Sequence, residues 1–329
     1  MLKILFAPLQ GYTTGIYRKA HAELIGGVDA YYAPFLRIEN GAPRAKDLRD
    51  LETDRASANK SATPLAKTVP QIIANSVTEF KTLAKALQSA GFQEIDFNMG
   101  CPFPMQVNHH RGAGLLSDSE TIKAIMEEIA NSIAKFSVKM RLGQNTPEEA
   151  FAILPILNEA PLAHITLHPR LGKQQYKGAL DFNSFERFHN ECRHPLYFNG
   201  DIASIEQMNE LERKFPKLAG VMIGRGLLAN PFLAKDYKAS KEPAGTETPN
   251  GISTQSESDR MSLILEMHSA LMGYACHTYQ GDSQILSHLQ SFWEYQEASL
   301  PKKIFKKMMK AGKLEEYRAA VDMLAQGAT

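Results

Sequence analysis

The stretch TVPQIIANSVTEFKTLAKALQSAGFQEIDFNMGCP (68–102) holds two short apolar, β-branched runs separated by one helical pattern. The runs TVPQII (68–73) and EIDFNMG (94–100) read as strands. Between them SVTEFKTLAKALQSAG (76–91) opens with a capping-box pattern, Ser76 and Glu79, and ends in Gly91. The strand–helix unit recurs in both directions. KILFAP (3–8), AYYAPF (30–35), FSVKMRL (136–142), HITLHP (164–169), PLYFNGD (195–201) and GVMIGRG (220–226) bring the strand candidates to eight. Further helical patterns lie over 117–133, 145–160 and 204–215. Pro147 suits a first turn, and Pro155 predicts a kink or an early stop. Eight strands alternating with helices over about 235 residues predict an α/β chain built as a (β/α)8 TIM barrel. A doubly wound sheet would normally carry a glycine fingerprint after its first strand, and APLQGYTTG has none.

The barrel does not use the whole chain of 329 residues. KASKEPAGTETPNGISTQSESD (238–259) is rich in Pro, Gly, Ser, Thr and charge and reads as a linker. Four helical patterns follow it, so a small all-helical unit is expected after the barrel. The boundaries are set at 1–237 for the barrel, 238–258 for the linker and 259–329 for the helical unit. Composition is ordinary for a globular protein, 43% hydrophobic and 22% charged. No apolar run is long enough to span a bilayer, and MLKILFAP reads as a first strand rather than a leader. Cys101, Cys192 and Cys276 are far apart, with no spacing of metal-ligand type. Free thiols suit a reducing cytoplasm, and no metal is expected. Cys192 and Cys276 fall in helical contexts and read as structural. A monomer is the default expectation. The net charge of +1 means that a polyanion would have to meet a local basic patch.

In such barrels chemistry sits where the strands end. Here nearly every strand candidate ends in polar groups: Ala7-Pro8-Leu9 before Gln10, Arg37, Gln71, Asn98 with Cys101, Lys139 with Arg141, His168 with Arg170, Asn199-Gly200-Asp201, and Gly224-Arg225. The glycines in NGDI and GRGLLANP allow backbone amides to approach an anion, as expected of the last two loops of a barrel, although tight turns alone would also use them. Lys139 faces the barrel mouth if Val138 and Met140 face out. It suits either a Schiff base or a charge beside an electron-rich cofactor ring. A lone histidine such as His168 is more often structural, but its place at a strand end leaves a functional role equally open. A free cysteine is usually a small core residue. Gly100 and Pro102 put Cys101 in a turn instead, where its thiol can act as a nucleophile if activated or as a general acid if left protonated. NHHRGAG (108–114) offers two histidines and an arginine that could meet substrate phosphates.

Together APLQGYTTGIYR, PQI, DFNMGCP, GAGLL, SVKMRLG, LHPR with QYKGALDF, FNGDI and VMIGRGLLANPF come in the order and approximate spacing of the tRNA-dihydrouridine synthases, which the chain resembles over about residues 3 to 235. The resemblance implies an FMN held at the barrel mouth and reduced by NADPH (or NADH). It implies hydride transfer from the flavin to C6 of a tRNA uracil, a proton to C5 from Cys101, and 5,6-dihydrouridine as product. Ala7, Pro8, Leu9, Gln71, Lys139 and His168 match contacts of the flavin ring. Asn199, Gly200, Asp201, Gly224 and Arg225 match the surroundings of its ribityl chain and phosphate. Asn98, Arg141, Arg170 and Tyr176 fall on the substrate side. Leu9 stands where methionine is common, and Pro169 where a small residue usually follows the histidine. For tRNA binding, PKKIFKKMMKAGK (301–313) offers Lys302, Lys303, Lys306 and Lys307 on one helix face. Phe305 lies among those lysines, and Phe292, Trp293 and Tyr295 are candidate platforms for a flipped base. The bland reading of both segments is a solvated face over ordinary bundle core. Two other functions compete: a flavin barrel acting on a free pyrimidine, which would need no lysine-rich tail, and a barrel that only binds RNA.

Overall fold

The computed structural model describes residues 1–58, 66–242 and 256–327. Eight parallel strands close a barrel: β1 (Lys3–Phe6), β2 (Ala30–Leu36), β3 (Lys67–Ile72), β4 (Glu94–Met99), β5 (Lys135–Gly143), β6 (Leu162–Leu171), β7 (Leu196–Asn199) and β8 (Gly220–Ile223). The order is sequential, and β1 pairs with both β2 and β8 to close the ring. All eight expected strands are present, and helices separate most of them along the chain. A two-stranded hairpin, Ile38–Glu39 with Ala42–Pro43, and the helix Ala45–Ala58 extend the connection after β2.

The pleat explains why the barrel is apolar outside and polar within. Along β4, Ile95, Phe97 and Met99 join the core under the helices, while Asp96 and Asn98 point inward. Val138 and Met140 of β5 join the same outer core, which turns Lys139 into the barrel mouth. Phe80 of the helix Val77–Ser89 meets Phe97 edge-on at 5.4 Å and Phe136 at 5.3 Å, so this layer is closely packed. Inside the barrel a smaller apolar cluster of Leu5, Ala7, Tyr32, Val69, Tyr197 and Met222 fills the space below the mouth.

Helix ends follow their caps. Ser76 Oγ accepts from Glu79 N at 3.3 Å, but the Glu79 carboxylate turns to Asn75 N and to Arg111, so the box is only half formed. Ser204 and Gln207 complete such a box for Ile205–Lys214. Pro155 does not end its helix, which runs on from Glu148 to Glu159; the neighbouring turns carry the ladder past the missing N–H.

The C-terminal unit consists of Glu257–Thr278, Asp282–Trp293 with a 3-10 extension Glu294–Ser299, Lys302–Lys310 and Leu314–Gly327. Its core is pinned by a buried polar knot. Tyr317 Oη donates to Leu289 O at 3.2 Å and accepts from Trp293 Nε1 at 2.8 Å, with His268 Nε2 at 2.7 Å. The unit docks on the barrel through the two-pronged Arg260–Asp236 pair (2.7 and 2.8 Å) and through Tyr12 Oη donating to Glu294 at 2.7 Å. Most of the expected linker, 243–255, lies outside the described residues, and its flanks 238–240 and 257–258 are helical. No helix among the described residues is long and apolar enough to cross a membrane.

Candidate active site

A cavity of about 830 Å³ opens where the strands end. Fifteen of the expected site residues line it: Ala7, Pro8, Leu9, Gln71, Asn98, Cys101, Lys139, Arg141, His168, Tyr176, Asn199, Gly200, Asp201, Gly224 and Arg225. A second cavity of about 400 Å³ shares Gln10, Tyr12, Pro34 and Asp47 with it and runs between the barrel and the helical unit.

Cys101 is held by its backbone. Its N–H donates to Asn98 Oδ1 at 2.9 Å, and its carbonyl accepts from Ala113 N at 3.0 Å. Gly112 braces the turn from behind with φ +60°; a Cβ there would stand 2.6 Å from Cys101 O and 2.8 Å from Cys101 Cβ. Burial pushes the Cys101 thiol above its ordinary pKa, against the pull of a Phe103 backbone hydrogen bond, Lys139 and Arg141. The thiol therefore keeps its proton at neutral pH, which suits an acid and not a resting nucleophile.

Lys139 faces the same cavity. Burial and the neighbouring Arg141 lower its pKa to about 8. Among the described residues its ammonium has no hydrogen-bond or ion-pair partner. A desolvated cation of this kind fits an electron-rich or anionic group lying in the cavity. His168 is neutral, because burial and the surrounding cations drive its pKa well down. Its Nε2 lies 3.3 Å from the donor Arg170 Nη1, which leaves the ring proton on Nδ1.

Around the last two strand ends the charges are organised. Asp201, at φ +47°, accepts from Arg170 at 3.1 Å and from Arg225 at 2.7 Å. These partners, the Arg170 hydrogen bond first, hold its carboxyl below the usual range. Arg225 also lies over the Tyr176 ring at 4.8 Å, and Arg141 over it at 5.5 Å, so two guanidinium groups locate an otherwise exposed tyrosine. Among the described residues, Arg37, Arg44, Lys139, Arg141 and Arg225 line the cavity against only Asp47 and Asp201. A chain of net charge +1 thus concentrates positive charge at its mouth.

Not every residue singled out in the sequence reaches this cavity. Arg170 does not line the cavity: it is buried behind the wall, and its guanidinium is taken by Asp201 and by Gly178 O at 2.7 and 3.1 Å. His109, His110 and Arg111 do not reach the cavity, and Arg111 is ion-paired with Glu79. Phe292, Trp293 and Phe305 are core residues, because the faces of the two helices that carry them turn inward. Only Tyr295 of that aromatic group lines the cavity, edge-on to Tyr12 at 5.2 Å. Lys302, Lys303, Lys306 and Lys307 are exposed but do not line it. Asn98 does line it, yet Oδ1 is engaged by Gly100 N and Cys101 N and Nδ2 by Gln71. Cys276 is exposed and not buried in a core. Sequence reasoning missed Phe103, an exposed aromatic beside Cys101, and Asp47. The first was legible only from its place after Cys-Pro, and the second lies on a helix that was not anticipated.

Comparison with known proteins bears on the same residues. The family model described as Dihydrouridine synthase (Dus) matches residues 5–325. The chain is 26% identical over 244 residues to the tRNA-dihydrouridine(16) synthase of Pseudomonas putida, which covers 73% of this chain and 75% of that protein. It is 34% identical over 144 residues to a probable tRNA-dihydrouridine synthase of Helicobacter pylori, covering 42% and 43% of the two chains. Among solved structures, morphinone reductase in complex with tetrahydroNAD superposes with a TM-score of 0.51 at 10% identity, covering 73% of this chain and 87% of that one, a likeness of fold. With a family match that takes in both the barrel and the helical unit, the chain belongs to the dihydrouridine synthase family.

Proposed function

We propose that this protein reduces a uridine of tRNA to 5,6-dihydrouridine, with FMN as its bound flavin and NADPH (or NADH) as reductant. The observation that carries the reading is the presence, in one cavity, of a protonated Cys101 thiol and a Lys139 ammonium that has no hydrogen-bond or ion-pair partner among the described residues. Family membership supports the flavin and the tRNA. The residues present fit the flavin. Ala7, Pro8, Leu9, Gln71, Lys139 and His168 would hold its ring. Asn199, Gly200, Gly224 and Arg225 would hold its ribityl chain and phosphate, with Asp201 orienting Arg225. When bound, FMN supplies the hydride for C6 of the uracil.

The chain's own groups do the rest. Lys139 would oppose negative charge on a flavin ring bound in the cavity. Cys101 gives its proton to C5, and the thiolate it leaves is met by the Lys139 and Arg141 charges that already favour that form. The many cations at the mouth draw in the phosphates around the target, and Tyr176 and Tyr295 supply ring faces where a base has left its stack. The barrel, residues 1–237, is the catalytic unit in this reading. The helical unit, 259–329, meets the RNA with Lys302, Lys303, Lys306 and Lys307. The working protein is a monomer.

The test is anaerobic. The purified yellow protein is bleached with NADPH, then given unmodified tRNA or free uridine. Recovery of the oxidised spectrum with tRNA alone, with dihydrouridine in the RNA digest, is expected. Relatives named for position 16 make that uridine the first to examine. Equal recovery with free uridine would point to a free pyrimidine as substrate. A protein that cannot be loaded with FMN overturns the flavin assignment.

A further inference from the structure

Beneath the cavity, and outside its lining, Asp96 is wholly buried in the middle of β4. The barrel register sets Gln71 of β3 and Ser137 of β5 directly beside it, which makes one polar layer of three side chains. Asp96 Oδ2 accepts from Gln71 Nε2 at 2.6 Å, and Oδ1 accepts from Ser137 Oγ at 2.6 Å. The chain of bonds continues upward. Gln71 Oε1 accepts from Asn98 Nδ2 at 2.7 Å, and Asn98 Oδ1 accepts from the N–H groups of Gly100 and Cys101 at 3.0 and 2.9 Å. Each amide has a donor end and an acceptor end, so the sequence of bonds has a direction. Its upper end is fixed by two backbone donors, and its lower end requires an acceptor.

We propose that Asp96 is a positioning residue for the reaction: acting through Gln71 and Asn98, it fixes the turn that presents the Cys101 thiol. An ionised carboxylate is acceptor-only, and it obliges Gln71 to turn its amide oxygen toward Asn98. Asn98 in turn offers its oxygen to the turn. The charged and titratable groups facing Asp96 are Lys139 of β5 and Tyr32 of β2. Burial raises the Asp96 pKa to about 6, against the Gln71 and Ser137 hydrogen bonds and Lys139, so the carboxylate is mainly ionised at neutral pH. A fully satisfied buried network of this kind is rigid, and losing one member leaves the others without partners. The kinetic part of the proposal rests on the tRNA-reductase reading; the structural part does not.

Two variants of the full chain test it by hydrogen exchange at the Gly100 and Cys101 amides. Asp96→Ala removes the acceptor without adding bulk. Asp96→Asn keeps an acceptor for Gln71 Nε2. The Ala variant is expected to exchange these amides at least about tenfold faster, with rates in Glu257–Thr278 unchanged. Its tRNA-dependent flavin reoxidation at saturating tRNA should fall at least about tenfold, while KM for tRNA stays within about threefold. The Asn variant should exchange within about threefold of the wild type. A smaller change in the Ala variant, or a larger one in the Asn variant, overturns the proposal. If the Ala variant does not fold, the Asn result alone decides. If wild-type flavin is not reoxidised by tRNA, the reductase reading fails, and the exchange rates still judge Asp96.

Discussion

In the proposed reaction Cys101 and Lys139 divide the chemistry by charge. A general acid must hold its proton until the substrate is ready, and burial keeps the Cys101 thiol protonated. Replacing it by alanine removes the proton donor and little else. Cys101→Ala should bind FMN and tRNA as before and lose about 10²-fold or more of turnover, read as dihydrouridine formed per enzyme. Full activity in that variant would remove Cys101 from the mechanism. Lys139 makes a second prediction, about stability. Its folded pKa, about 8, lies below the ordinary 10.5, so between those values the folded state binds fewer protons than the unfolded one. Stability therefore rises with pH across that window, and the cost of burying the ammonium is full below about pH 8. Lys139→Met should stabilise the flavin-free protein by about 1–3 kcal/mol at pH 7 in urea melts, and by much less at pH 10. A gain that is the same at both pH values would show that the ammonium is not the cause.

At the scale of elements, sequence and structure agree where local physics decides. The alternation Ile95-Asp96-Phe97-Asn98-Met99 is legible because a pleat separates the two faces whatever surrounds them. The four C-terminal helices are legible from their periodicity. What they bury is not: the helical patterns put Phe292 and Trp293 on one helix and Phe305 on the next, but do not show whether RNA or protein covers them. The burial of Arg170 away from the cavity is hidden for a related reason, since a strand-end arginine looks the same in sequence whether or not Asp201 and Gly178 engage it. The segment Gly112–Leu115 reads as a loop, and its task is visible only once Gly112 is seen against Cys101. Gly112→Ala meets two penalties, a left-handed φ of +60° and a Cβ within 2.8 Å of Cys101 Cβ. It should cost about 1–3 kcal/mol of stability in urea melts and slow tRNA-dependent reoxidation while flavin content is kept. Wild-type reoxidation in a folded Gly112→Ala protein would mean that the Cys101 turn does not depend on this brace.

For the whole molecule, an almost neutral chain has to hold a polyanion. In the proposed function two groups of cations do this in different ways. Arg44, Arg141 and Arg225 at the cavity mouth are held by Asp47, Tyr176 and Asp201, and in the proposed function they act on the few phosphates around one nucleotide. Lys302, Lys303, Lys306 and Lys307 stand exposed on a helix whose Phe305 and Met308 are buried. Such lysines attract phosphates by charge and counterion release, with little demand on geometry. Docking orientation then depends on how the Arg260–Asp236 pair and the Tyr12–Glu294 contact set the helical unit on the barrel. Changing all four lysines to alanine should weaken tRNA binding and leave NADPH-dependent bleaching of the flavin at its wild-type rate. Each phosphate contact contributes about 0.7–0.9 to the slope of log affinity against log salt, so the slope should flatten by about 3 if all four lysines contribute. Titration of tRNA at several salt concentrations measures it directly. An unchanged slope, with activity intact, would move the RNA track off this helix and onto the second cavity between barrel and bundle, where Lys46 and Arg49 stand beside the stacked Tyr279 and His288.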